Sequence, residues 1–164
     1  MADNEVKYDE ASKEIITTAL MELLNQYPAL DAGEEIAFAT LADESGMAMF
    51  PVSGAVIKKE HKDIIGCVEQ ECLYPMYIVY RAGGLSEESR LRIKEWLDNL
   101  GKWLERQPVT INGTEYRLKE YPSLSGDRYF KNIYRSSPGC LQTVTDDRVE
   151  NWAIMITAQY YNEF

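Results

Sequence analysis

The sequence has little of the chemistry that metal centres and catalytic triads need. Its 164 residues include one histidine and three cysteines, and no two cysteines have Cys-x-x-Cys spacing. Structural zinc takes four Cys or His ligands at close spacing, and a nucleophile with a histidine base would have to use His61. We therefore predict that the chain holds no metal, needs no cofactor and is not an enzyme.

The single histidine also lies in an unsuitable place. His61 is part of the charged run 58–63, which we predict to be an exposed tip where a base would not be held rigidly. The three cysteines Cys67, Cys72 and Cys140 are an odd number, which is typical of a reduced chain. We expect them to be small buried thiols.

Positive charge is scarce as well. There are 17 Lys and Arg residues against 27 Asp and Glu residues, so the formal net charge is −10. Phosphate backbones and anionic membrane surfaces attract a surplus of basic residues, so neither is an expected general partner. No run of 18 apolar residues occurs that could span a bilayer, and the acidic start, residues 1–5, predicts no signal peptide.

Two helices are clearly indicated. Apolar residues recur at spacings of three and four over residues 9–26, with Asp9 as the predicted N-cap and Pro28 after the end. A second helix begins after Ser86, another natural N-cap, and closes before Pro108.

Most other segments have strand patterns. Residues 35–41 and 47–52 are predicted to pair across a turn, and Asn-Gly at 112–113 is typical of a tight hairpin. Further strands are expected at 64–68 and 76–80. The last segment, 152–161, is apolar on both faces and is therefore predicted to be a central strand.

This order of elements predicts an α+β fold. We expect a single domain over residues 1–164, with a mainly antiparallel sheet and two amphipathic helices packed on one face. Exposed loops are expected near residues 43–63 and 119–128.

Tyrosine is abundant, with 11 residues beside three tryptophans and four phenylalanines. Tyrosine is common in protein interfaces, although several of these residues could equally complete the core. Trp96 and Trp103 stand at helical spacing, which favours the core. We predict that the charged run 58–63 and the C-terminal strand contact other subunits, through Glu60, His61, Asp63, Tyr160 and Tyr161.

The layout is similar to a family of phage proteins. The chain resembles the minor capsid and tail-terminator-like proteins of long-tailed bacteriophages over most of its length, and residues 43–63 match least well. The matching features are a short first helix ending in Tyr27-Pro28, a helix after Gly83-Gly84, the segment 121–126, Asn132-Ile133-Tyr134 and the final segment 152–161.

This resemblance implies a structural virion protein. Such a protein forms a homo-oligomeric ring, usually a hexamer, that caps the tail tube and joins it to the head connector. Its partners would be its own copies, the tail tube protein and the connector or neck protein, with DNA passing only through the lumen. It would lie in the tail or neck of the virion, and in the host cytoplasm during assembly. The acidic charge suits a lumen that does not grip phosphates.

Two alternatives remain. Another neck, head-completion or minor capsid protein would differ in its partner rather than in its chemistry. A small enzyme with a pocket among the Tyr and Trp residues is disfavoured, because the sequence offers no evident base or nucleophile.

Overall fold

A computed structural model describes residues 5–164 of the chain. The predicted absence of a signal peptide falls largely on residues 1–4, which lie outside the described residues. The helical elements are a 3₁₀ turn at Glu10–Ser12, α1 at Lys13–Leu24 and α2 at Glu87–Leu104. The strands are β1 Ile36–Phe38, β2 Gly46–Pro51, β3 Val56–Lys62, β4 Val68–Gly83, β5 Val109–Ile111, β6 Thr114–Tyr116, β7 Arg128–Arg135, β8 Cys140–Val144 and β9 Val149–Glu163.

Two long antiparallel strands, β4 and β9, form the centre of the molecule. They pair from Glu69 opposite Glu163 to Gly83 opposite Val149. The sheet order is β1-β2-β4-β9-β7, with β3 on the free half of β4 and β8 on the free half of β9. The α+β class with a mainly antiparallel sheet is confirmed, and β9 is central as predicted.

Both helices pack on the same face of this sheet, as predicted. Tyr74 of β4 meets Thr17 of α1, with 3.0 Å between their hydroxyl oxygens. Tyr80, on the same face of β4, packs edge-on against Trp96 of α2 with ring centroids 5.1 Å apart. Gly101 lets α2 approach closely, because a Cβ at this position would meet Ile154 of β9.

The second helix begins and ends where its sequence predicts. The Ser86 hydroxyl accepts a hydrogen bond from the Ser89 backbone N–H at 3.2 Å, which satisfies one of the free donors at the helix start. Its leucines at 97, 100 and 104 are fully buried. Each such side chain contributes roughly 1.5–3 kcal/mol of transfer free energy to folding.

The first helix differs from its prediction at the start. Residues 10–12 form a 3₁₀ turn, and Asp9 makes no side-chain cap to it. The Asp9 carboxylate instead binds Arg128 and Tyr160. Asp9 therefore stands at the N-cap position but does not cap the turn with its side chain, because a charged partner and a hydroxyl from distant strands occupy its carboxylate oxygens.

The first two strands correct a second prediction. β1 and β2 are parallel, with Ile36 opposite Met47, rather than the two arms of a hairpin. The chain turns after Phe38 at Ala39, whose φ is +52°, and residues 39–45 lead back before β2 begins. Asn25 then closes the outer edge of β1: its Oδ1 accepts from the Ile36 N–H at 2.8 Å, and its Nδ2 donates to the Ile36 carbonyl at 3.1 Å.

The region predicted as an exposed loop near 43–63 is largely strand. It contains β2 and β3, and β3 pairs with β4 from Val56 opposite Leu73 to Lys62 opposite Val68. The charged side chains do not prevent pairing, because an edge strand leaves them in water. The predicted strand at 64–68 is also wrong, since the chain turns at residues 63–67 and β4 begins at Val68.

The smaller hairpin matches its prediction. Asn112 and Gly113 have φ values of +51° and +80°, and Val109 stands opposite Tyr116. Residues 117–127 then connect β6 to β7 without helix or strand. Tyr121 anchors this connection, because its hydroxyl donates to the Leu104 carbonyl at 2.8 Å.

Candidate assembly interface

Tyr160, one of the predicted contact residues, lies inside the molecule. Its side chain is 0% exposed, and its hydroxyl donates to Asp9 Oδ2 at 2.7 Å. The Ser12 hydroxyl lies 2.8 Å away. Burial raises the pKa of Tyr160 well above its usual range. The prediction that Tyr160 contacts another subunit is therefore wrong, because its side chain lies on the face of the sheet that the helices cover and is fully buried.

Asp9 and Arg128 form a buried ion pair beside Tyr160. Arg128 Nη2 lies 2.9 Å from Asp9 Oδ1, and the two side chains are 12% and 6% exposed. Burial alone would raise the pKa of Asp9, but hydrogen bonds from Arg128 and Tyr160 outweigh it and lower that pKa. This cluster joins the segment before α1 to β7 and β9. The Asp9 carboxylate and the Tyr160 hydroxyl both have hydrogen-bond partners within it.

Tyr161 points to the opposite face of the sheet, which we call the open face. Its ring lies 5.5 Å from the ring of Tyr129, and Lys131 Nζ donates to its hydroxyl at 2.8 Å. Tyr129 in turn donates to Glu163 Oε1 at 2.9 Å, and this bond raises the pKa of Tyr129 to about 12. Tyr161 is half-buried in the single chain and remains a candidate contact residue.

Apolar and aromatic side chains continue along the open face, because alternate residues of each strand share one side of a sheet. Phe50, Tyr77 and Met155 form one row across β2, β4 and β9. They are half-buried, while both helices lie on the other face. A cleft of about 330 Å³ opens here, lined by side chains that include Leu41, Phe50, Tyr77, Val79 and Arg81.

The turn between β3 and β4, residues 63–67, is the second conspicuous surface. We call it the hairpin tip. Ile64 and Ile65 are 107% and 85% exposed. The Asp63 carboxylate fixes the turn by accepting hydrogen bonds from the backbone N–H groups of Ile65 and Cys67, each at 2.9 Å. Two adjacent isoleucines are thus held in water by a hydrogen-bonded turn.

The other predicted contact residues lie on or near this tip. Glu60 and His61 are exposed on β3, and Glu60 accepts from Gln70 Nε2 at 3.1 Å. Asp63 is exposed too, but both bonds of its Oδ1 serve the turn. Glu60, His61 and Asp63 are thus exposed at the end of β3, whereas Tyr160 is buried against Asp9.

Another cleft lies at the other end of β3, next to Ala55. It has a volume of about 700 Å³, and we call it the N-terminal cleft. Its apolar wall includes Phe38, which is 48% exposed. Its polar lining is mostly paired: Thr17 bonds Tyr74, and Asp9 bonds Arg128. Its lining also includes Tyr8, Glu10, Lys13, Pro51 and Ala55.

Among residues 5–164, no three His, Cys, Asp or Glu side chains cluster in a way that could hold a metal ion. Cys72 is buried, and burial raises its pKa to about 11. Cys67 is exposed and Cys140 is half-buried, so the prediction of three buried thiols holds only for Cys72. Neither helix of the described residues is both long and apolar enough to cross a membrane.

Sequence reasoning missed the isoleucines of the tip. Their β-branched side chains favour strands, so residues 64–68 were expected to form one. The signal for a turn was present: Asp63 and Gly66 flank the two isoleucines, and Asp commonly accepts from backbone N–H groups two residues on. Gly66 has a φ of +96°, a conformation that glycine adopts readily.

No protein-family model matches the chain, and no curated protein matches it.

Proposed function

We propose that this chain is a structural protein that acts by assembling with copies of itself and with neighbouring proteins. Specifically, it forms a ring like that of the phage tail terminators, which caps the tail tube and joins it to the head connector. The ring, the tube and the connector come from the resemblance in element order. The physical support for assembly comes from the surface of the fold.

The observation that carries the proposal is the open face of the β4–β9 sheet. Phe50, Tyr77 and Met155 line it in one row, and the tyrosine pair Tyr129 and Tyr161 extends it. Half-buried aromatic and apolar residues of this kind are enriched in protein interfaces. A partner that covered the face would complete their burial.

The net charge supports passage of DNA without binding. The formal net charge of −10 repels phosphates, so DNA could move through a ring of such subunits without being held. Assembly then depends on local contacts that overcome the repulsion between subunits.

The experiment is to measure the mass of the purified full chain by light scattering and to image it by electron microscopy. The measurement is made alone and with the tail tube protein. We expect closed rings in at least the second condition. A chain that stays monomeric with both tube and connector proteins present contradicts the proposal.

A pull-down distinguishes the terminator from another neck or head-completion protein. A terminator binds the tube protein and the connector, whereas a head-completion protein binds only on the portal side. Tyr77→Ser on the open face should weaken the tube or connector contact, and Glu95→Ser on the exposed side of α2 is the matched control.

A further inference from the structure

The cleft on the open face, which we call the open-face cleft, combines apolar walls with a single charge. Its volume is about 330 Å³, which is at the lower end of the range for ligand sites. Phe50, Tyr77 and Val79 belong to its walls, and of its lining residues among 5–164 only Arg81 is charged. In pockets of this composition, a few well-placed polar groups orient the ligand.

The guanidinium of Arg81 is held in one orientation by neutral acceptors. Its Nε donates to Asn151 Oδ1 at 2.8 Å, and its Nη1 donates to the Ala42 carbonyl at 3.0 Å. Asn151 is itself fixed, because its Nδ2 donates to Thr143 Oγ1 at 2.8 Å. These bonds leave Nη2 of Arg81 without an acceptor among residues 5–164. Because the guanidinium is already oriented, little further ordering is needed when a ligand binds it.

Arg81 differs from the other two half-buried arginines. Arg128 and Arg135 each place Nη2 2.9 Å from a carboxylate oxygen. Arg81 is half-buried as they are, but it forms no ion pair with a carboxylate of residues 5–164. A guanidinium with free donors favours a carboxylate from outside, because its planar fork can bind both carboxylate oxygens.

The acidic residues nearest to Arg81 along the chain do not supply that carboxylate. Asp43 and Glu44 follow the bonded carbonyl of residue 42, but both are exposed and neither pairs with Arg81. Glu150 is already paired on the helix face. Glu71, the nearest acidic residue along β4, precedes Arg81 by ten residue steps, about 33 Å at the rise of a strand. The positive charge in the cleft is therefore available to a partner.

We propose that the open-face cleft binds an acidic residue on a segment of the neighbouring protein that covers the open face. The carboxylate of that residue accepts from Arg81 Nη2, and an adjacent apolar side chain packs on Phe50 and Tyr77. The occupant is a protein segment because the cleft continues into the apolar row that ends at Met155, which a protein surface would cover. This inference deepens the proposed function and rests on it for the identity of the neighbour, the tube or connector protein.

A pair of short peptides tests the carboxylate directly. Acetyl-Gly-Leu-Glu-Gly-amide and its glutamine counterpart differ by one charge, and each is titrated into the isotope-labelled full chain and followed by NMR. We expect the glutamate peptide to bind at least about tenfold more tightly, because a hydrogen bond to a charged group contributes more than a neutral one. It should also shift the Nε–H signal of Arg81. Equal affinities, or shifts centred on the helix face, would overturn the inference.

Two substitutions remove the site in different ways. Arg81→Gln removes the charge, whereas Asn151→Asp keeps the arginine and gives it an internal carboxylate of similar size. Both variants, folded by circular dichroism, should lose the preference for the glutamate peptide. Arg92→Gln on the exposed side of α2 and Asn132→Asp on β7 are the matched controls and should keep it, because they make the same charge changes away from the cleft. Should Arg81→Gln unfold, a preference retained by Asn151→Asp contradicts the inference.

A small carboxylate is tested as an alternative occupant. Isovalerate carries a carboxylate and a branched aliphatic group but no peptide backbone. It should bind at least about tenfold more weakly than the glutamate peptide, which makes additional contacts with the open face. If isovalerate binds at Arg81 as tightly as the peptide, the cleft serves a small molecule and the inference is wrong.

A pull-down separates failure of this inference from failure of the proposed function. If folded Arg81→Gln captures the tube and connector proteins as well as the original chain does, the inference is wrong and the assembly proposal stands. If the original chain captures neither protein but prefers the glutamate peptide through Arg81, the proposed function is wrong and the carboxylate site stands. If Arg81→Gln weakens only association between copies of this chain, the stated neighbour is wrong.

Discussion

The two faces of the β4–β9 sheet differ in how deeply they bury tyrosine side chains. On the helix face, Tyr74 and Tyr160 are buried, and their hydroxyls contact Thr17, Ser12 and Asp9. On the open face, Tyr77 and Tyr161 are only half-buried. Neighbours in sequence, such as Tyr160 and Tyr161, therefore differ in what surrounds them. The helix face stabilises the monomer, and the open face is available to partners.

The largest expected effect separates these two neighbouring tyrosines. Tyr160→Ala should lower the free energy of unfolding by about 3–5 kcal/mol, because it leaves a cavity in the core. Tyr161→Ala should lower it by less than about 1 kcal/mol and reduce assembly instead. Urea unfolding followed by circular dichroism measures the first effect, and light scattering measures the second. Equal losses of stability would show that both faces belong to the core.

The second test breaks the ion pair on the helix face. Asp9→Asn should cost about 3 kcal/mol at pH 7, since Arg128 then loses its charged partner in a buried site. The folded pKa of Asp9 is lowered, so its stabilisation is present above the unfolded pKa of about 3.9 and is lost as the pH falls through the folded pKa.

Urea unfolding between pH 3 and pH 7 measures this dependence. The free energy of unfolding of the variant should fall less steeply between pH 7 and pH 3 than that of the original chain. Asp43→Asn, which changes an exposed carboxylate, should stay within about 0.5 kcal/mol of the original chain at pH 7. If the free energy of unfolding of Asp9→Asn falls with decreasing pH as steeply as that of the original chain, the ion pair does not control stability in acid.

A third substitution probes the closeness of α2 to the sheet. A Cβ at Gly101 would meet the side chains of Arg135 and Ile154, and Arg135 is held by Glu105 at 2.9 Å. Gly101→Ala should therefore destabilise the protein by about 1–2 kcal/mol, although alanine favours helices. Glu95→Ala, on the exposed side of α2, is the control. A rise in melting temperature for Gly101→Ala would show that the helix can move outward freely.

The smallest expected effects come from removing a single tyrosine hydroxyl on each face of the sheet. Tyr74→Phe removes the hydroxyl that contacts Thr17 and should cost about 1 kcal/mol. Tyr77→Phe on the open face should change stability by less than about 0.5 kcal/mol. A double-mutant cycle with Thr17→Val attributes the first loss to the pair. Additive effects in that cycle would contradict the assignment.

Local signals account for the parts of the fold that the sequence predicted well. The cap at Ser86 and the leucine spacing of α2 depend on residues a few positions away. The turn at Asn112-Gly113 likewise depends only on its immediate neighbours. The parallel pairing of β1 with β2 was not predicted. It depends on the path by which residues 39–45 connect the end of β1 to the start of β2, and on hydrogen bonds to β1 from Asn25, which follows α1. The position of Asp9 at the helix start was predicted, but the role of its side chain was not, since its partner Arg128 is distant in sequence.

The interface prediction was limited by a different problem. The alternation that places Trp152, Ile154, Ile156 and Ala158 on one face continues to Tyr160, so the sequence could have assigned Tyr160 and Tyr161 to opposite faces. It could not say which face the helices cover. The charged run 58–63 was located correctly as exposed, but its adjacent isoleucines were assigned to a strand by their β-propensity.

The contact of Asp9 with Arg128 and Tyr160 also has a consequence for biosynthesis. These partners are 119 and 151 residues further along the chain, and β9 supplies the middle of the sheet. Ribosomes add about 5–20 residues per second, so the first helix waits several seconds or more for its native neighbours. Until β9 leaves the exit tunnel, β4 lacks its central partner, and the apolar side chains that the two strands share stay exposed to water.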